Sequence, residues 1–233
     1  MRGRLVRRED LTEAERDAMY GLLAGAFEGV TRERFAADLA EKTWALLLED
    51  DASLQGFSTL LLYESSPPGE EVCTVVYSGD TIVDPSAWGS SALSRCWIAA
   101  VRRLREEHPK GRLWWLLLTS GFRTYRFLPV FWKDFWPRWD TPAPPEVRDR
   151  LDFLAEERLG SLYIKEWGIV RFPQPQKLKG ELAEVPAGRL ADPHVAFFLE
   201  KNPGWREGDE LACLTEIAEE NLTAAGRRMW RAG

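Results

Sequence analysis

The stretch that decides the fold is Val75-Val76-Tyr77-Ser78-Gly79-Asp80-Thr81-Ile82-Val83-Asp84-Pro85-Ser86-Ala87-Trp88-Gly89-Ser90-Ser91-Ala92-Leu93. Its first half is rich in β-branched and aromatic residues and reads as the end of a strand over residues 71–83. Gly79 sits inside that strand, where a glycine marks a bulge. Pro85 cannot donate to a ladder and ends it. Gly89, Ser90 and Ser91 make a turn of small residues, and a helix follows to Glu107. Leu93, Cys96, Trp97, Ala100, Val101 and Leu104 place one apolar stripe on that helix. A strand, a small-residue turn and a helix leave the first-turn amides pointing outward with the positive end of the helix dipole. Two readings follow: a cradle for a pyrophosphate, or a plainly capped helix that binds nothing.

On the N-terminal side, residues 4–7 start a short strand. Thr12 and Glu15 form a capping box that opens a helix to about Phe27, ended by Gly29. Thr31 caps a second helix carrying Phe35 and Leu39. Strands over residues 43–49 and 54–63 precede the strand above, so three meandering strands are expected. On the C-terminal side, residues 112–119 (Arg-Leu-Trp-Trp-Leu-Leu-Leu-Thr) read as a central strand buried on both faces. The strand–helix–strand order predicts one right-handed crossover. An aromatic helix over residues 125–135, a helix over 145–159 and strands over 162–172 and 210–217 complete the order, with a helical tail over 219–230. Residues 173–209 form an irregular insertion with a short helix near 195–199. One domain spanning residues 1–233 is expected.

The chain has 233 residues, 45% hydrophobic and 29% charged, with a net charge of −6. That composition excludes collagen, disulfide scaffolds and intrinsic disorder. The acidic balance argues against nucleic acid and membrane surfaces as partners. Two histidines exclude a multi-histidine metal centre, and no metal is expected. The three cysteines are odd in number and widely spaced, which suits a reducing, cytoplasmic location.

The order of elements resembles the GNAT superfamily of acyl-CoA-dependent N-acyltransferases, a mixed α/β sheet flanked by helices. The resemblance covers residues 4–136, with residues 162–172 and 210–217 as the closing strands. The local match is Val83-x-Pro85-x-x-Trp88-Gly89-Ser90-Ser91-Ala92, against V-x-P-x-x-R-G-x-G-x-G. Trp88 stands where the superfamily prefers Arg or Gln, Ser91 where it prefers Gly, and Leu93 where it prefers Gly or Ala. The resemblance implies acetyl-CoA or another acyl-CoA as cosubstrate. Ile82 and Val83 would lie along its pantetheine arm, and Trp88, Gly89, Ser90, Ser91 and Ala92 would hold the pyrophosphate. It also implies acyl transfer from acyl-CoA, or a carrier thioester, to an amine: a small molecule, a protein N-terminus or a lysine.

Among catalytic candidates, Asp80 is either a base for the acceptor ammonium or a solvated strand carboxylate. The resemblance implies a general-acid tyrosine after the central strand, but the matching stretch reads Phe131-Trp132-Lys133-Asp134-Phe135-Trp136. Tyr125 is then the candidate acid, or a packing tyrosine. Arg123 and Arg126, three apart on one helical face, either hold an anion or are solvated; Tyr77 is a further substrate-binding candidate, with a polarising backbone amide near residues 77–80. The aromatic run Phe127, Phe131, Trp132, Phe135 and Trp136 is core or the wall of an apolar pocket. A non-catalytic GNAT-like module that binds a small molecule or a protein is the competing reading. An oligomer is compatible with all of this.

Overall fold

The structure, a computed structural model, describes residues 1–50, 53–87 and 91–232. Strand β1 (Arg2–Arg7) leads into helix α1 (Glu13–Ala26). The capping box holds its start: the Thr12 side chain accepts from the Glu15 amide, and the Thr12 amide donates 2.7 Å to the Glu15 carboxylate. Short strand β2 (Phe27–Glu28) and helix α2 (Arg32–Glu41), capped by Thr31, follow. Then come β3 (Trp44–Glu49), β4 (Leu54–Ser65), β5 (Cys73–Val83), α3 (Ala92–Glu107) and β6 (Leu113–Thr119).

The next stretch departs from expectation at two places. The aromatic helix over residues 125–135 is two short helices, α4 (Phe122–Tyr125) and α5 (Phe127–Phe131), then strand β7 (Phe135–Trp136). Pro129 has no N–H to give to the carbonyl of Tyr125, and pairing of β7 with the last strand captures the rest. After α6 (Pro145–Leu159), residues 162–172 are not one strand. They form a hairpin of β8 (Tyr163–Ile164) and β9 (Ile169–Val170), turned at Gly168 with φ +69. The insertion contains β10 (Lys177–Leu178) and α7 (Pro193–Lys201), and β11 (Glu210–Glu216) and α8 (Ala224–Ala232) close the chain.

Among the described residues the main sheet has nine strands in the order β1-β3-β4-β5-β6-β11-β9-β8, with β7 also on β11. All pairs are antiparallel except β5 with β6, the crossover pair that α3 connects. The last long strand, β11, lies between β6 and β9. This mixed sheet is covered on both faces. On one, Trp97, Leu128, Phe198 and Trp230 bring α3, α5, α7 and α8 onto Trp115, Leu117 and Cys213. On the other, α6 packs through Leu151 and Leu154, and α1 and α2 pack through Met19, Leu23, Phe35 and Leu39. Strand β6 is buried along its whole length, as its sequence requires. No helix of the described residues is long and apolar enough to cross a membrane.

Candidate functional site

The site begins where two neighbouring strands part. Strands β5 and β6 pair from Thr74↔Leu113 to Ser78↔Leu117 and no further, although β5 runs on to Val83 and β6 to Thr119. At the last pair the Trp115 indole N–H donates 2.9 Å to the Ser78 hydroxyl and fastens the two strands. Immediately beyond, β5 bulges. Ser58 faces Thr81 and Leu60 faces Ser78, so Gly79 and Asp80 together oppose Thr59. A glycine is required here, because a Cβ at 79 would lie 2.5 Å from Lys42 Cε and 2.6 Å from Thr59 Oγ1. A bulge re-aims the strand and leaves backbone groups outside the ladder.

A cavity of about 620 Å³ fills the split and reaches both faces of the sheet. On the α3 face its wall is aromatic, with Trp97, Trp115, Phe122 and Phe127 beside Leu93. The Trp97 and Trp115 rings lie 4.0 Å apart, and Phe127 meets both edge-on. On the α1–α2 face the wall carries three carboxylates, Asp38 from α2, Asp80 from the bulge and Glu210 at the start of β11. Burial, with the charge of Asp38 and then Glu210 opposing Lys42, pushes the Asp80 carboxyl up to about 7. Burial and Asp38 push Glu210 up to about 7 as well, although Ser120 donates to it at 2.8 Å. The fully buried Lys42 ammonium donates 2.5 Å to Asp38 Oδ1. Among the described residues no group of three His, Cys, Asp or Glu side chains is arranged to hold a metal ion.

The insertion, a stretch without a role on sequence grounds, covers the carboxylate side. Strand β10 pairs with β2, the Lys179 amide donates to the Ala26 carbonyl at 2.9 Å, and Arg34 Nη2 donates to the Gln174 carbonyl at 2.6 Å. Leu178, Leu182, Pro186 and Arg189 face the cavity. Both arginines singled out in the sequence work in this attachment. Arg123 donates to the carbonyls of Glu181 (3.0 Å) and Leu182 (3.2 Å), and Arg126 pairs with Asp192 at 2.8 Å. They line the cavity as expected, but their guanidinium groups are engaged by the chain itself.

Of the other expected site residues, Tyr77, Asp80, Ile82 and Val83 line the cavity; burial pushes the Tyr77 phenol upward. Ser91 caps α3 with no side-chain bond to its amides, and its carbonyl accepts from Arg95 at 3.0 Å. Ala92 is buried at the first helical position. Trp88, Gly89 and Ser90 lie outside the described residues. Tyr125 is a correction. It is wholly buried, its hydroxyl donates 2.9 Å to the Pro137 carbonyl, and it lies off the cavity wall among Phe135, Phe197 and Phe198. Burial raises its pKa, so the proton it carries is held more tightly. The sequence reading missed Asp38 and Glu210. Glu210 carried one signal, a carboxylate heading an otherwise apolar strand at the carboxyl edge of the sheet. Asp38 carried none, since it looks like any polar position of an amphipathic helix.

No protein-family model matches the sequence, and no curated protein matches it. Similar solved structures include a probable N-acyltransferase from Enterococcus faecalis V583, at 16% identity and TM-score 0.43 over 54% of this chain and 31% of that one. The chain therefore spans about a third of that protein's length. A GNAT-family acetyltransferase from Bacillus anthracis matches at 11% identity and TM-score 0.42 over 58% and 83%. A GNAT-family N-acetyltransferase from Escherichia coli, solved with CoA, matches at 19% identity and TM-score 0.39 over 55% and 68%.

Proposed function

We propose that this protein transfers an acyl group from acyl-CoA, or a carrier thioester, to an amine. One observation carries the reading: β5 and β6 part beyond Ser78 around a cavity that opens on both faces of the sheet. Over Gly79–Ile82, β5 has β4 on one edge and no strand on the other among the described residues. Such an edge pairs with an extended chain bearing amides, which is the chemistry of a pantetheine arm. The start of α3, with Ser91 uncapped by a side chain, faces the diphosphate with the positive end of a 16-residue helix. Acyl-CoA supplies the activated thioester; the residues of this chain supply position and proton transfer.

The acceptor enters from the α1–α2 face. A carboxyl near 7 is half ionised at neutral pH, the best compromise for taking a proton from an ammonium and returning it to water. Asp80 and Glu210 both meet that condition. Deprotonation frees the nitrogen lone pair for attack at the thioester carbonyl. Backbone N–H groups freed at the Gly79–Asp80 bulge face the charge that develops on its oxygen. A thiol with a pKa near 8.5 leaves as thiolate without a dedicated acid, which accommodates the loss of Tyr125 from the site.

The test is calorimetric titration of CoA and acetyl-CoA into the wild type and Ser91→Glu, paired with thermal melts. Ligand at about 100 times its Kd adds roughly 2.7 kcal/mol of stability. The added carboxylate at the helix start should abolish this. Absence of heat and of stabilisation with both ligands refutes the reading. The buried Tyr125 favours one other reading, a GNAT-like module that binds acyl-CoA without turnover. Binding that persists while thiol release stays at the uncatalysed rate across acceptor amines selects it.

A further inference from the structure

The proposed activity leaves the acceptor open between a small molecule and the N-terminus or a lysine of a protein. We infer that residues 174–192 make the acceptor side a roofed pocket for a small free amine and exclude folded protein acceptors; this rests on the acyl-transfer reading. The roof is attached along its length to three separate parts of the fold. Gln174 is held by Arg34 of α2. Lys177 and Leu178 form a ladder with β2, and the Lys179 side chain donates to the Ala24 carbonyl at 2.7 Å. Glu181 and Leu182 are held through their carbonyls by Arg123, and Asp192 by Arg126.

These attachments span the gap between the α1–α2 connection and the carboxyl end of β6. That gap is where an extended protein segment would have to lie to bring its amine to Asp80 and Glu210. Leu178 and Leu182 turn inward and pack on the sheet-side core clusters, and a Cβ at Gly121 would lie 3.0 Å from Leu178 Cδ1. The roof therefore touches the floor where Leu178 meets Gly121, and narrows the approach to the cavity from this side. A cavity of about 620 Å³, shared between donor arm and acceptor, is in the range of small-molecule pockets.

The test needs neither CoA nor a known acceptor, so its failure is separable from failure of the acyl-transfer reading, which the CoA titration reads. A single thiol is placed on the cavity wall by Ser120→Cys. Its labelling by iodoacetamide is compared with labelling by lysozyme carrying a maleimide on a short linker, each rate normalised to the same variant in urea. Tryptic peptides read by mass spectrometry separate the introduced thiol from the native cysteines. Iodoacetamide should react within about tenfold of the unfolded rate, and the lysozyme reagent at least a hundredfold more slowly. In the triple variant Ser120→Cys/Leu178→Ala/Leu182→Ala the lysozyme reagent should gain at least tenfold. Equal normalised rates for the two reagents in the single variant overturn the proposal. So does a thiol that neither reagent reaches, since the pocket then takes no small amine. A triple variant that still excludes lysozyme while admitting iodoacetamide also overturns it, because something other than the roof does the excluding.

Discussion

Asp80→Asn makes the electrostatics of the cavity measurable as stability. The Asp80 carboxyl is held at about 7 against an ordinary 3.8, because ionising it means losing water beside Asp38 and Glu210 with only Lys42 in compensation. The unfolded chain therefore releases this proton well before the folded chain does. Between those two values the folded state binds more protons, so its stability falls as pH rises. The slope is about 1.36 kcal/mol per pH unit for one group. From pH 5 to pH 7 wild type loses about 2 kcal/mol that Asp80→Asn does not lose, and above pH 7 the difference levels off. Urea denaturation of both proteins at pH 5, 6, 7, 8 and 9 reads it directly, with the m-value as a check that the unfolded state is unchanged. The variant should gain relative to wild type in step with pH to 7 and then plateau. A difference constant to within about 0.5 kcal/mol across the series refutes the reasoning, and means that Asp80 is solvated or fully paired with Lys42.

Other substitutions test separate parts of the site. Gly79→Ala should cost about 1–3 kcal/mol in denaturant melts, because the new Cβ meets a fully buried Lys42 and Thr59. The control Gly21→Ala, whose Cβ meets nothing within 4 Å in the middle of α1, should gain about 0.5–1 kcal/mol. Tyr125→Phe removes the bond to the Pro137 carbonyl and should cost about 1 kcal/mol while leaving turnover within twofold; a hundredfold loss returns Tyr125 to the chemistry. Arg126→Gln breaks a partly exposed pair with Asp192 and should move the melting temperature by no more than about 2–4 °C. Hydrogen exchange should nonetheless quicken in the first turn of α7, where Asp192 is the cap.

Much of the fold was legible because its signals are local. The Thr12–Glu15 box, the stripe from Leu93 to Leu104 and the unbroken apolar run of β6 each specify an element within a dozen residues. Gly79 marked the bulge for the same reason: a missing Cβ is visible in sequence. The aromatic stretch misled, because residues 125–135 carry helix-like apolar spacing. Long-range bonds override it, with the Lys133 amide donating to the Asn221 carbonyl and Phe135 pairing with Thr215. The site was half legible. Asp80 lies next to the bulge that exposes it, but its partners Asp38 and Glu210 are 42 residues before and 130 after it. Nothing in their own surroundings marks them until the sheet brings them together. Arg123 and Arg126 were recognised as a pair, but their partners lie in an insertion without periodicity.

The position of β11 between β6 and β9 has a consequence for synthesis on the ribosome. Strand β6 can join β5 as soon as residue 119 has emerged, yet its other edge waits for Leu211–Glu216. About 90 residues must be added in between, which takes roughly 5–20 s at bacterial and eukaryotic elongation rates. Throughout that interval a strand that is apolar from Leu113 to Leu118 offers unpaired N–H and C=O groups to any neighbouring chain. A chaperone that binds extended apolar segments would find its target at residues 113–119, and only until residue 216 has emerged. Glu210 arrives with the same strand, so the nascent protein acquires this half-buried cavity carboxylate in the step that closes this edge.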